Sequence, residues 1–469
     1  MVLKRKKPPV NKAMDWVTPL SPDGGPRYLQ IADLLEQAIS EGTLHPGDRL
    51  PPQRLLAEAL GVDLTTVTRG YDEARLRRLL EAYGHRGTYV SAPPGELTQW
   101  VDLSMNIPPA PAQVDLSTLL KQGLSHLATR SDVNLLMTYH IGGGSPTDRL
   151  AAAQWLSPMF ESVETSRIVI CPGAQAALAA AILTLTQPGD TVLAESLVYP
   201  GLRTAVQQLG RRIEPVSGDE AGMLPDALER ACREYGARLV YINPTLQNPS
   251  ARTIPSDRRR DIVEAAARAD ATIIEDDPYW LFADNAPAPL ATLAPDRVFY
   301  ISTLSKCLSP GLRTAFVVLP DAAIEDRFLS AMRSFALMAM PLATALVTLW
   351  IQDGSAQALL AGVQAETRAR QQLAAHIFPN PERSTRRQGI HIWHSLPNHW
   401  EARDLARAAR ADGLAVTPPD AFYLGPGKPP SAIRVSLGGG RDRNQLSTAL
   451  RNLAALLASK PAERTEVVI

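Results

Sequence analysis

The chain has 469 residues, with 48 Lys+Arg against 48 Asp+Glu and 45% apolar residues, a balance that suits a globular protein of more than one domain and leaves no global charge to attract a partner. Three cysteines, Cys171, Cys232 and Cys307, without CxxC spacing exclude a disulfide framework and a zinc knuckle. The most apolar stretch, Phe335 to Trp350, is shorter than the ~20 residues of a membrane span and is interrupted by Pro341, so it predicts a buried helix and no membrane partner.

The opening "MVLKRKKPPV" is basic but lacks the apolar core of a secretion signal, so residues 1–26 read as a flexible basic tail and a cytoplasmic location is expected. From Arg27 the texture changes. Tyr28, Ile31, Leu34, Leu35, Ala38 and Ile39 recur at helical spacing up to Gly42, and "QRLLAEALG" gives a second, shorter helix. Asp63 then opens a third helix with Val67, Tyr71, Ala74 and Leu79 or Leu80 inward, and "YGHRGTYVSA" closes the unit as a tight turn and strand. Three helices followed by a glycine-containing hairpin describe a winged helix-turn-helix, a unit that docks its third helix in a major groove.

The run "GDRLPPQRLLAEALGVDLTTVTRGYDEARLRRLLEAYGHRGTYV" resembles the DNA-binding domain of the GntR superfamily over residues 27–92. The resemblance implies a double-stranded DNA operator as partner, with Arg49 and Arg54 on phosphates, Thr65, Thr66, Thr68 and Arg69 at the groove, and Arg86, Gly87 and Thr88 at the wing tip. Leu64 departs from relatives that carry arginine or another polar residue there; it either meets a thymine methyl or packs. Charge is modest for such a surface, with seven arginines against six carboxylates from Asp48 to Val90.

Residues 93–108 are proline-rich and read as a linker, leaving residues 109–469 as a second domain. Within it, "RIVICPG", "DTVLAES", "RRIEPVS", "ARLVYINP", "ATIIEDD", "RVFYIS" and "TAFVVLP" alternate with helical patterns, which predicts an α/β fold built on a mostly parallel seven-stranded sheet. The sheet subdomain is expected at about 140–330 and a smaller α+β subdomain at about 345–460.

Ligands of such sheets collect beyond the carboxyl ends of the strands, and these ends are chemically equipped. A turn at Gly173, Ala174 and Gln175 opens a helix, Asn248 follows one strand, Asp276 and Tyr279 another, and Thr303, Ser305 and Lys306 a third. An amine, a carboxylate, a phenol, an amide, hydroxyls and a helix N-terminus are the parts that hold pyridoxal 5'-phosphate as a Schiff base. Lys306 would form the imine, and Asp276 would keep the pyridine nitrogen protonated. Tyr279 and Asn248 would bind the ring hydroxyl, while Thr303, Ser305, Arg313 and the 173–175 turn would bind the phosphate.

"NPS", "EDDPYW", "TLSK" and "SPGLR" together resemble the fold type I aminotransferases over about residues 100–455. That resemblance implies that Tyr199 stacks on the cofactor, that Tyr139 reaches the neighbouring subunit's phosphate in a head-to-tail homodimer, and that Arg434 pairs with a substrate carboxylate. "NPSART" stands where relatives have "NPTG", and Ala174 stands where many carry a hydroxyl. "GGGSP" at 142–146 lacks the GK[ST] ending of a nucleotide-binding loop and reads as a turn, the eight histidines show no metal-ligand spacing, and His391 and His394 are expected to be structural.

A winged helix joined to an aminotransferase-like domain is the arrangement of the MocR-type branch of the GntR regulators. It implies a transcriptional regulator that carries pyridoxal phosphate on Lys306 and senses an amino acid, an amine or the cofactor itself. The rival is a transaminase with an accessory DNA-binding head, since every group needed for turnover is present in the sequence.

Overall fold

The computed structural model describes residues 14, 16–22, 24–45, 47–77, 79–82, 87–91, 101–378 and 388–461. The chain divides into two compact units, 1–99 and 100–469.

In the first unit, α1 (Arg27–Ser40) turns Ile31, Ala32, Leu35 and Ala38 inward, α2 (Gln53–Leu60) stops at Gly61 in the left-handed region, and α3 (Leu64–Leu76) is capped by Asp63, whose side chain accepts from the Thr66 amide. A Cβ on Gly70 would lie 2.8 Å from Ile31 Cγ2, so glycine lets α1 and α3 approach. The third helix ends at Leu76, earlier than the apolar spacing predicts; Leu80 is buried in the first strand of the wing instead. That strand, β1 (Leu80–Ala82), pairs antiparallel with β2 (Thr88–Val90). The expected tail is also shorter than 1–26, because Trp16 is buried in this core with Val17 and Leu20 packed against it.

The second unit begins inside the expected linker. β3 (Val101–Asp102) pairs in parallel with a strand near the far end of the chain, and Leu103 and Asn106 are buried, so residues 101–108 are part of this unit and not spacer. The physical reason is remote in sequence: Gly438 and Gly439 have no Cβ to collide with the carbonyls of Ile107 and Asp102. Next come α4 (Leu116–Arg130), the one-turn α5 (Val133–Leu136) and α6 (Pro146–Leu156), where Ser145 and Asp148 form a capping box after the glycine turn.

All seven apolar runs are strands of one sheet: β4 (Ile168–Cys171), β5 (Thr191–Glu195), β6 (Arg212–Val216), then, past the small hairpin β7 (Gly218–Asp219) and β8 (Gly222–Met223), β9 (Leu239–Ile242), β10 (Thr272–Asp276), β11 (Val298–Thr303) and β12 (Ala315–Val318). Their order is β4-β12-β11-β10-β9-β5-β6, and only β12 runs antiparallel to its neighbours. The helix α7 (Ala174–Leu185) leaves β4 through Gly173, at φ 92. The buried residues of both faces of the sheet explain why the strands read as continuous apolar runs.

The C-terminal part adds β13 (His391–Ser395), β14 (Leu414–Ala415), the partner of β3, and β15 (Ala432–Ser436), antiparallel to β13, covered by helices 355–377, 402–411 and 443–458. The apolar segment 335–350 is helical only from Pro341, and Phe335, Leu337 and Met340 before it are half-exposed, so the expected buried helix lacks its first turns. Among the described residues no helix is long and apolar enough to cross a membrane.

Candidate functional site

Parallel register brings the ends of β9, β10 and β11 side by side, and the residues that follow them line one cleft with Ala174, Gln175 and Tyr199. Asn248, Asp276, Tyr279, Thr303, Ser305, Lys306 and Arg313 all line it, as do Asn243 and Pro278.

Lys306 sits just past β11, largely buried, and its Nζ donates to the Asn106 carbonyl at 2.6 Å. Burial first, then Arg434 and Arg313, push its amine down to about 8 against the pull of Asp276. Asp276, the last residue of β10, accepts a hydrogen bond from the Tyr241 phenol at 2.7 Å, and burial pushes its carboxyl up to about 6. Asn243 Nδ2 donates to the Asp276 backbone carbonyl at 2.7 Å and Asn243 Oδ1 accepts from the Asn248 amide at 2.8 Å, which ties the two strand ends together.

Arg434, on β15, is buried. Its Nη1 donates to Asn248 Oδ1 at 2.7 Å, its Nη2 to the Ser104 carbonyl and to Thr417 Oγ1 at 3.3 Å, and its guanidinium lies 5.0 Å from the Phe422 ring centre. On the other side of the cleft, Gly173 is cradled by Arg313: a Cβ there would lie 2.6 Å from Nη2. Thr303 Oγ1 faces the Thr314 carbonyl at 3.4 Å and accepts from the Ser305 amide at 3.2 Å, so its proton is directed into the sheet, whereas the Ser305 hydroxyl is buried without a partner. Tyr199 is half-buried in the cleft wall, its phenol raised above the ordinary value by burial. Tyr139 is elsewhere, 76% exposed on the segment between α5 and α6.

Sequence reasoning missed four residues of this site. Asn106 lies in the stretch read as linker, Tyr241 and Asn243 in and after an apolar strand, and His391, read as structural, is buried beside Asn106 and Tyr279. Only a proximity argument from the folded register finds them.

In the first unit, the Thr65 and Thr66 hydroxyls both donate to Asp63, and the Thr68 hydroxyl is shared between Gln53 Oε1 and the Leu64 carbonyl, each at 2.9 Å. Arg69 stacks over the Tyr28 ring at 4.5 Å. Leu64 is 40% exposed on the first turn of α3. Arg49 and Arg54 are exposed, the Arg49 side chain lies against Gly87, and Thr88 opens β2. Arg86 lies outside the described residues.

Residues 98–453 match the family Aminotransferase class I and II. The chain belongs to that family. The head of this aminotransferase-family chain, residues 27–90, matches the gntR family of bacterial regulatory proteins, a domain that binds DNA, and the two domains together are the MocR arrangement. It is 28% identical over 456 residues to the HTH-type transcriptional regulator YdeF of Bacillus subtilis, covering 95% of this chain and 98% of the other. It is 28% identical to the vitamin B6 salvage pathway transcriptional repressor PtsJ of Salmonella typhimurium, covering 87% and 93%. An archaeal alanine:glyoxylate aminotransferase shares the fold, with a TM-score of 0.70, 24% identity and coverage of 77% of this chain and 91% of that one.

The residues fit pyridoxal phosphate, the cofactor of this family's fold. Asp276 Oδ1 and Ser305 Oγ, both on residues that line the cleft, and Nε of Arg434, which is bonded to the cleft residue Asn248, are buried without a protein partner. Their chemistry is that of groups reserved for a protonated ring nitrogen, a phosphate and a carboxylate.

Proposed function

We propose that this chain is a transcriptional regulator that carries pyridoxal phosphate on Lys306 and alters its hold on operator DNA when an amine or amino acid competes for the site. The observation that carries the reading is a buried lysine with a lowered basicity, beside a buried carboxylate with an orphaned oxygen, in a chain that also bears a gntR-family head. Relatives named for vitamin B6 salvage and for pyridoxine biosynthesis support it.

When bound, the cofactor supplies an aldehyde that condenses with a primary amine. Lys306 is the resident amine. Asp276 Oδ1 would hold the proton of the ring nitrogen, and Tyr199 would cover the ring face. Tyr279 and Asn248 would donate to the ring oxygen, while the amides at the start of α7, with Ser305 and Arg313, would take the phosphate; Thr303, whose one hydrogen faces the Thr314 carbonyl, would instead hold the Ser305 amide. Arg434 would take an effector carboxylate, at the expense of its bonds to Asn248 and Ser104.

Two of these groups are held by backbone carbonyls of one short segment: Asn106 for Lys306 and Ser104 for Arg434. That segment follows β3, the first strand of the second unit after residues 92–100. An effector that engages Lys306 and Arg434 removes both ties at once, and its differential affinity for the tied and untied states sets the change in DNA affinity. A head-to-tail homodimer is part of the proposal, supported by the exposed Leu135, Met137, Tyr139 and Ile141 and, beside them, Phe335, Leu337 and Met340, two segments joined by the hydrogen bond from the His140 amide to Met338 Sδ.

The test is an absorption titration of the cofactor-loaded protein with a panel of amino acids and amines, run beside operator binding and keto acid assays. A spectral change that persists without product and shifts operator affinity is expected, and Lys306→Ala should abolish both. Sustained keto acid release with unchanged operator affinity would make the chain a transaminase instead.

A further inference from the structure

The second layer behind Tyr279 is a small polar network whose proton positions are fixed by its members. His391 Nε2 faces the Gln247 carbonyl at 3.4 Å, and a carbonyl can only accept, so Nε2 carries the hydrogen. Burial pushes the imidazole down to about 3, so the ring is neutral and Nδ1 is an acceptor. Asn106 Nδ2 lies 3.1 Å from that Nδ1 and 3.1 Å from the Tyr279 oxygen, and both of its hydrogens are therefore spent, one on each. The same constraint sets the amide orientation, since the opposite one would face Oδ1 to the His391 lone pair.

The consequence falls on Tyr279. Its oxygen already accepts from Asn106, so its own hydrogen has to point away from Asn106, and the cleft that Tyr279 lines is on that side. Asn248, the other residue of the pair, is set the same way: Oδ1 is taken by Arg434, which leaves its NH2 to donate. Asp276, Tyr199, Lys306, Arg434 and His391 are the charged and titratable groups around the phenol, and none of them hydrogen-bonds to it as Asn106 does.

The structure assigns to Asn106 and His391 the role of positioning residues: they lock the Tyr279 hydroxyl as a donor, so that Tyr279 and Asn248 form a two-donor clamp selective for a ligand that carries an anionic oxygen between them. In the site read above this oxygen is the ring oxygen of pyridoxal phosphate, and the assignment rests on that reading. It goes beyond it in naming what makes the clamp selective: residues that do not line the cleft, one from the segment after the joining residues and one from β13.

The experiment compares binding of pyridoxal phosphate with binding of its 3-deoxy analogue, which lacks the ring oxygen, by quenching of intrinsic fluorescence. Wild type should prefer pyridoxal phosphate. Asn106→Leu and His391→Phe should each cut that preference about 5- to 10-fold, the worth of one oriented hydrogen bond, by weakening pyridoxal phosphate while leaving the analogue's affinity in place. His391→Gln, which restores an acceptor for Asn106, should recover the preference. An unchanged preference in both variants overturns the assignment, and so does equal loss of both compounds in both variants, because that is the mark of a merely structural role. If wild type binds neither compound, it is the cofactor reading that fails.

Discussion

The Tyr241 phenol donates to one oxygen of Asp276 at 2.7 Å and leaves the other oxygen of the same carboxylate buried without a partner. The pairing follows from register: Tyr241 sits opposite Ile274, and Asp276 is two residues further on the same face of β10. Tyr241 thereby fixes the carboxylate and directs Oδ1 toward the cleft. Asp276→Asn keeps the shape and removes the charge, so cofactor retention should fall about 10- to 100-fold, the range of a charge-assisted bond, as read by equilibrium dialysis. Retention at the wild-type level would place the ring nitrogen elsewhere.

Lys306 attacks an aldehyde only when its amine is neutral. With that amine pushed down to about 8, the neutral fraction rises about tenfold per pH unit below 8 and levels off above it. The rate of cofactor capture by the cofactor-free protein should follow this curve in a stopped-flow absorbance measurement. Below about pH 6 the fall should become shallower, because Asp276 takes up a proton there and no longer favours the Lys306 ammonium. A rate that climbs without a plateau to pH 10 would mean a lysine of ordinary basicity.

Much of this site was legible because a parallel strand buried on both faces writes itself as an apolar run, and its end is where polar residues begin. Asp276 is the last residue of such a run, and Lys306 and Asn248 stand in the loops that follow two others. What was not legible depends on partners distant in the chain. Asn106 belongs to the site only because Gly438 and Gly439, more than 300 residues later, let its segment lie down on them. His391 read as one of two alternating histidines, since nothing in a strand's own sequence says which neighbour it will meet. Phe335, Leu337 and Met340 have the composition of a core helix yet are exposed, because composition does not say which apolar residues the fold buries.

Gly439 bears on stability more than chemistry. A Cβ there would overlap the Asp102 carbonyl, a backbone atom that cannot rotate away. Gly439→Ala should therefore destabilise the second unit by about 2 kcal/mol or more and lower its thermal unfolding midpoint. Gly142→Ala, where nothing lies within 4 Å of the added methyl, is the control and should leave the midpoint in place.

Arg434 separates the two kinds of ligand the cleft would take. It contacts none of the groups assigned to the phosphate, but it is placed for a carboxylate, and its Nε is the orphaned donor. Arg434→Ala should slow capture of pyridoxal phosphate only through the higher basicity of Lys306, a loss that raising the pH recovers, and should weaken amino acids by about a further 10- to 100-fold relative to amines without a carboxylate. Calorimetric titration with an amino acid and its decarboxylated amine reads the difference directly. Equal weakening of both would show that the arginine serves the fold of the cleft and not the carboxylate.

Arg54 tests the head without touching the cleft. It is exposed at the start of α2, and a phosphate contact contributes to affinity irrespective of base sequence. Arg54→Ala should weaken binding to specific and non-specific duplexes alike and reduce the slope of log affinity against log salt by about one, as expected for one lost phosphate contact. The absorption spectrum of the bound cofactor should not move, because residues 27–90 and the cleft belong to different compact units. Leu64, exposed on the first turn of α3, makes the contrasting case. Its replacement by alanine should leave the salt slope alone and act only where a thymine methyl faces it, so substituting uracil for thymine at single operator positions should reproduce the loss. A salt slope that is unchanged by Arg54→Ala would remove that residue from the phosphate contacts and shift the docking surface toward Arg49 and the wing.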